Sequence, residues 1–374
     1  MKQRVFGLDL VRAIAIVMVV LSHVAWVIPK HRETLLDILS VFGVLGVEIF
    51  FVLSGFLIGR IIFRIYTSDD FSFSSMLHFW IRRWLRTLPN YYLVLLINIG
   101  VAVYIGMALP EGLWKYAFFI QNFSSETPGF FMESWSLSIE EFTYVLGPLL
   151  LFLTLFIKTR IPKPNMFLAI TLLIILLFII TKIVYNFNEA ERTLINWNNS
   201  LKSVVIYRID AVYYGVLAAY ISIVKNKLWK KIKYPAFGLG LLLFLGLNGL
   251  MFLGGVNIEN NPFVWNVLYL PINSVIMLLM FPLLSQINTA PAIISRPVTF
   301  ISITSYAIYV LHYSVILHLL QYFIPAINLS EFDVIVYIVV YLSLTILASY
   351  VLYKFFEHPM TRLRDSSFIK KRFV

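Results

Sequence analysis

Histidine is the side chain best suited to moving a proton near neutral pH, and His23 stands in an otherwise apolar stretch. Arg12 precedes it by eleven positions. Eleven residues make about three helical turns and a rise of about 16 Å, so the two share one helix face at different depths. Asp9, three residues before Arg12, is placed to pair with it locally. The plainer alternative for His23 is a hydrogen bond between helices. Glu48 lies in the glycine-containing run Gly43–Gly55. A buried glutamate needs a partner or a proton, and Arg12 or His23 could serve; a purely structural ion pair is the alternative.

Arg82, Arg83 and Arg86 fall at the expected start of a helix, where three cations oppose the macrodipole. Arg83 and Arg86 share a face, and guanidinium groups grip phosphate bidentately. A cluster that only sets membrane topology would look the same. In Ser134-Trp135-Ser136-Leu137-Ser138-Ile139-Glu140-Glu141, Ser138 and Glu141 fit a helix capping box, while the adjacent glutamates could orient a base or bind hydroxyls. Arg208 and Asp210 either pair with each other or line the same cavity. Tyr309 and His312 lie three apart near the end of the chain, and Glu357 follows the last apolar stretch. The chain has no cysteine and no histidine pair at helical ligand spacing, so no metal site is expected.

These groups need elements to hold them, and the composition names the class. Of 374 residues, 60% are apolar and 13% charged. A soluble domain is about half apolar and about a quarter charged, so this chain could not cover a water-facing surface. An all-α polytopic integral membrane protein is expected, with both termini cytoplasmic. Hydropathy places ten spans at 6–28, 38–59, 84–106, 136–157, 165–185, 204–224, 234–254, 264–287, 298–323 and 332–356. With that layout, 22 of the 30 basic residues fall on the side of the termini and seven opposite, which makes the termini side cytoplasmic. The formal charge of +11 is therefore read as topology, not as affinity for nucleic acid. The aromatic loop at 107–135 is expected to be re-entrant or interfacial. Gly55, Gly59, Gly238, Gly240, Gly246 and Gly249 suit close helix packing. Residues 1–360 form one transmembrane domain, and 361–374 a short basic cytoplasmic tail.

Seven stretches, in order, resemble acyltransferase family 3, the membrane O-acyltransferases. They are Leu8-Asp9-Leu10-Val11-Arg12-Ala13 leading to Ser22-His23; Phe50-Phe51-Val52-Leu53-Ser54-Gly55-Phe56; and Arg82-Arg83-Trp84-Leu85-Arg86 with Pro89 and Tyr91-Tyr92. Then follow the Ser134–Glu141 stretch, Arg208-Ile209-Asp210-Ala211, Tyr306-Ala307-Ile308-Tyr309 with His312, and Phe356-Glu357-His358-Pro359. Glu48 departs from the family, which more often carries Asp there. The resemblance implies transfer of an acyl group, commonly acetyl, from cytoplasmic acyl-CoA to a carbohydrate hydroxyl. His23 and Arg12 would be essential, with Glu48 or Glu141 orienting the histidine, and Arg82, Arg83 and Arg86 would hold the donor. Asp9, Ser136, Glu140, Arg208, Asp210, Tyr309 and His312 would support the site or the acceptor. Acyl-CoA (acetyl-CoA) is then a co-substrate, with no tightly bound cofactor. The partners are a glycan or glycolipid acceptor and the bilayer of a bacterial cytoplasmic (inner) membrane. Some relatives carry a hydrolase-like domain after the last span; this chain is expected to react alone or with a separate partner. The competing readings are a proton-coupled transporter, using Asp9, Arg12, His23, Glu48 and Asp210 as a relay, and a membrane scaffold with structural ion pairs.

Overall fold

The structure is a computed structural model and describes residues 4–27, 33–158, 160–252, 254–326 and 329–363. The expected basic tail lies outside the described residues from Arg364 onward, as do Lys2, Lys30 and Arg32. The described chain is helical, without strands. In lipid every backbone polar group must be satisfied internally, and long apolar runs meet that demand as helices. Ten principal helices follow one another: α1 (Phe6–Val24), α2 (Glu33–Thr67), α3 (Phe73–Tyr104), α4 (Ser134–Leu153) and α5 (Lys163–Asn188). They continue with α6 (Ile209–Val224), α7 (Lys233–Phe252), α8 (Leu270–Leu284), α9 (Ala292–Leu311) and α10 (Glu331–Leu352). Wide π turns enter α8 (Val264–Tyr269) and extend α9 (His312–Leu317) and α10 (Tyr353–Glu357).

Among the described residues, nine helices are long and apolar enough to cross a membrane. The expected span at 204–224 is the exception: its helical part, α6, has 16 residues, about 24 Å, and follows a 3₁₀ turn at Val205–Tyr207. Helix α6 is central, packed on α2, α5 and α8, and 12 of its 16 residues are buried. Gly55 of α2 and Gly215 of α6 let these two backbones touch; a Cβ on either would overlap a carbonyl of the other helix, at Val212 or Val52. Gly59 also faces α6 and Gly240 faces α8, but Gly238, Gly246 and Gly249 meet nothing, so the close packing expected of them is absent.

Two buried ion pairs stitch this centre. Lys182 of α5 pairs with Asp210, and Arg208 pairs with Glu48 of α2. Ser274 of α8 donates to the other Glu48 oxygen at 2.9 Å. Glu48 therefore does not meet Arg12 or His23, and Arg208 and Asp210 neither pair with each other nor line one cavity. Each acid instead finds a cation on another helix, because burial makes an unpaired charge far more costly than a cross-helix pair.

Two starts differ from expectation. Helix α3 begins at Phe73, where the Ser72 N–H donates to Ser75 Oγ at 3.0 Å. Arg83 therefore sits ten residues, about 15 Å, inside the helix, and the macrodipole argument does not apply to it. Helix α4 begins at Ser134, so Ser138 and Glu141 are internal and form no capping box. The loop at 107–133 folds onto α3: Tyr91 donates to the Tyr116 carbonyl and Tyr92 to that of Ala117, both at 2.8 Å. Packing against Tyr91 holds Phe119 and Phe131 in left-handed backbone, with φ of 59° and 43°.

Candidate active site

Arg12 is set by α9. Asp9 accepts from Arg4 at 2.6 and 2.8 Å and from Ser302 at 2.8 Å, while Arg12 donates to Ser302 at 3.2 Å. The expected Asp9–Arg12 pair is present at 3.7 Å, yet Arg4 is the closer cation. Arg12 then projects into a cavity of about 450 Å³ bounded by α2, α3, α4 and α9. That volume is typical of a small-molecule site.

The cavity has two walls of different chemistry. One is basic: Arg82, Arg83, Arg86 and His78 of α3 with Arg12 of α1. The other is an apolar face of α2 from Leu53 through Leu57, Ile58 and Ile61 to Ile65. Arg83 donates to Glu140 at 3.1 Å and to the Tyr144 hydroxyl at 2.6 Å, and its guanidinium lies 4.2 Å from the Tyr144 ring centroid. Tyr144 donates in turn to Glu140 at 2.5 Å and sits 2.5 Å from Ser54. Glu140 is thus a fixed counter-charge for Arg83. Glu141, on the neighbouring face of α4, does not line the cavity and accepts from Thr87 at 3.0 Å and Trp84 at 3.1 Å.

At the far end Ser136 and Tyr309 close the cavity with a 2.6 Å hydrogen bond between their hydroxyls. Behind that septum lie the histidines. The Tyr309 and His312 rings are 5.8 Å apart, and His312 meets His23 edge-on at 4.8 Å. His23 does not line the cavity; it stands one layer of rings beyond it. Its ring neighbours are Tyr313 at 4.6 Å and His312 at 4.8 Å, not the expected Glu48 or Glu141.

The hydrogen bonds assign the tautomers. His23 Nδ1 is 2.9 Å from the Val19 carbonyl and His312 Nδ1 is 2.7 Å from the Tyr309 carbonyl. Carbonyls only accept, so both Nδ1 atoms carry hydrogen. His312 Nε2 is then an acceptor, 3.3 Å from His23 Nδ1. His23 Nε2 keeps a free lone pair, the form a general base requires.

Glu133 was not among the candidates, yet it shapes this end. It is buried just ahead of α4, and its Oε1 accepts from the Ser314 N–H at 2.8 Å and the Ser314 hydroxyl at 3.0 Å. Ser314 lies where α9 widens into its π turn; a carboxylate inserted there takes an N–H that the regular ladder leaves free. The only sequence signal is an acid next to the Ser134–Glu141 stretch. Among the described residues no three His, Asp or Glu side chains gather as a metal would need.

This arrangement, basic cavity, septum and histidine pair, uses residues from five of the seven recognised stretches. The acyltransferase domain profile of family 3 matches residues 5–354. The chain belongs to acyltransferase family 3. A relative named as a candidate O-acetyltransferase in Staphylococcus aureus (strain COL) is 28% identical over 380 residues, covering 95% of this chain and 57% of that protein. O-acetyltransferase OatA of Staphylococcus aureus (strain NCTC 8325 / PS 47) is 24% identical over 374 residues, again covering 95% and 57%. The chain thus spans little more than half the length of these relatives. No solved structure matches it.

Proposed function

We propose that this integral membrane protein is an O-acyltransferase that moves an acyl group, acetyl as the relatives' names suggest, from acyl-CoA to a hydroxyl of a carbohydrate. The observation that carries the reading is the polarity of the site: arginines at one end of the cavity, and a histidine with a free Nε2 beyond the other. Guanidinium groups suit the phosphates of CoA, and the apolar face of α2 suits the chain that links them to the thioester. The arginine end is assigned to the cytoplasm of a bacterial inner membrane, where acyl-CoA is made. The basic segment Lys158–Lys163 supports this, since Lys163 reaches the Ser68 carbonyl at 2.6 Å, beside the start of α3.

In this reading His23 Nε2 takes the proton of the acceptor hydroxyl as the oxygen attacks the thioester carbon. The C–S bond then breaks, and the thiolate recovers that proton from the imidazolium. His312 fixes the ring and tautomer of His23, and the Ser136–Tyr309 septum opens for the acyl end of the donor. The transporter reading has less support, because Glu48 and Asp210 are each tied to a cation away from Arg12 and His23. The deciding experiment uses the purified full chain in lipid, labelled acetyl-CoA and candidate glycans. Ester-linked label on glycan is expected; glycan without label while the protein binds acetyl-CoA would overturn the acceptor class.

A further inference from the structure

Four cations among the helices each have an acid: Arg12 has Asp9, Arg83 has Glu140, Lys182 has Asp210 and Arg208 has Glu48. Lys202 is different. It ends the wide turn Trp197–Lys202 between α5 and α6, and among the described residues no carboxylate lies within ion-pair distance of it. Its Nζ lies 5.0 Å from the centroid of the Trp135 ring. Burial pushes the amine down to about 8. Lys202 is half-buried, its ammonium over an aromatic face and without a hydrogen-bond partner among the described residues, so its donors stay available to a bound group.

Its position is built, not incidental. Asn122, fully buried, donates to the carbonyls of both Ser203 at 2.6 Å and Trp135 at 3.1 Å. Thr127 adds a second bond to Ser203 at 3.2 Å, and Ser203 Oγ closes back on Asn198 at 2.7 Å. One amide thereby locks the segment carrying Lys202 to the start of α4. Trp135 neighbours Ser136 of the septum and meets edge-on, at 6.0 Å, the ring of Phe51, which lines the cavity.

We propose that Lys202 is the electrophile of the acyl transfer, donating from Nζ to the thioester carbonyl oxygen as that oxygen becomes an oxyanion. The inference rests on the proposed function. As the acceptor oxygen bonds to the carbonyl carbon, its proton goes to His23 Nε2 and the carbonyl electron pair moves onto oxygen against the Lys202 ammonium. The pair returns when the thiolate leaves with the proton from His23, and Lys202 stays protonated throughout. A fixed donor aimed at developing charge, needing no reorganisation, is the general form of such stabilisation.

The test compares wild type, Lys202→Gln and Lys202→Arg as full chains in lipid, with labelled acetyl-CoA binding measured separately. Lys202→Gln is expected to lose about 10²–10³-fold in kcat, the usual effect of removing one oxyanion donor, with unchanged KM for donor and acceptor. Wild-type kcat should fall as pH rises through about 8, where the amine loses its proton. Lys202→Arg should retain part of the rate and lose this alkaline limb. The other titratable groups at this end, His23 of α1 and His312, Tyr313 and His318 along α9, are common to every variant, so only a limb that moves with residue 202 reports Lys202. Wild-type kcat in Lys202→Gln, or a loss seen only in KM, would overturn the proposal. If the Gln variant does not fold, an unmoved alkaline limb in Lys202→Arg would overturn it equally. A wild-type protein that binds acetyl-CoA but transfers nothing would instead defeat the underlying function.

Discussion

Glu133→Ala is the substitution whose effect can be worked most directly from the geometry. The carboxylate accepts two hydrogen bonds from one residue, at 2.8 and 3.0 Å, while Ser314 is buried. Removing the acceptor leaves the Ser314 N–H without a partner, and a buried unsatisfied donor costs about 1–3 kcal/mol. Adding the lost bond from the hydroxyl, which can turn to a helix carbonyl, gives about 2–4 kcal/mol of lost stability. Glu133→Gln is the control. Its amide oxygen still accepts both bonds, and its NH₂ replaces Oε2, which has no hydrogen-bond partner; a change within about 1 kcal/mol is expected. His312 is two residues from Ser314, so the Ala variant should also lose activity. A displacement of about 1 Å at a catalytic constellation costs about 10²-fold. Thermal unfolding in lipid and the initial rate of labelled acyl transfer measure the two effects. An Ala variant as stable and active as wild type, or a Gln variant as damaged as Ala, would refute the reasoning.

Other outcomes follow from the site. His23→Ala should bind acetyl-CoA normally yet lose about 10²–10⁴-fold in kcat, and a normal rate in a folded variant would remove His23 from the chemistry. Arg86→Ala should weaken acyl-CoA binding about 10- to 100-fold, whereas Arg83→Ala should also lower thermal stability, because Glu140 loses its cation. Equal stability of the two variants would show that the Arg83–Glu140 pair contributes nothing. The chain has no cysteine, so single cysteines at Lys230 and Glu126, both exposed, can be labelled cleanly from each side of the membrane. They should react from opposite sides, and labelling from one side would defeat the assigned orientation.

Much of this site was legible because membrane helices carry few polar residues, and those that remain stand out. The eleven-residue spacing of Arg12 and His23 is a property of one helix, and so survives into the structure. Arg83, the α4 pair Ser136 and Glu140, and Tyr309 belong to three separate helices, and only their resemblance to known stretches indicated that they meet. The partners of Glu48 and Asp210 were not legible: Arg208 is 160 positions from Glu48, and any cation on a neighbouring helix would satisfy the same rule. The start of α3 was missed because residues 73–83 include arginines, which lower hydropathy although their side chains face the cavity. Glu133 and the π turn it holds have no periodic signature, since the turn interrupts the period used to find helices.

That wide turn has a mechanical consequence. Before it, α9 presents Ser305, Tyr306 and Tyr309 to the cavity; after it begins, the same rod carries His312 to His23 and Ser314 to Glu133. An extra residue in one turn swings the following side chains by about 100° relative to an unbroken helix. The two chambers therefore belong to two faces of a single shaft, offset at the septum. Any twist of α9 about its own axis that withdraws Tyr309 from Ser136 must also rotate His312 against His23, so that opening the septum and setting the histidine pair are geared to one motion.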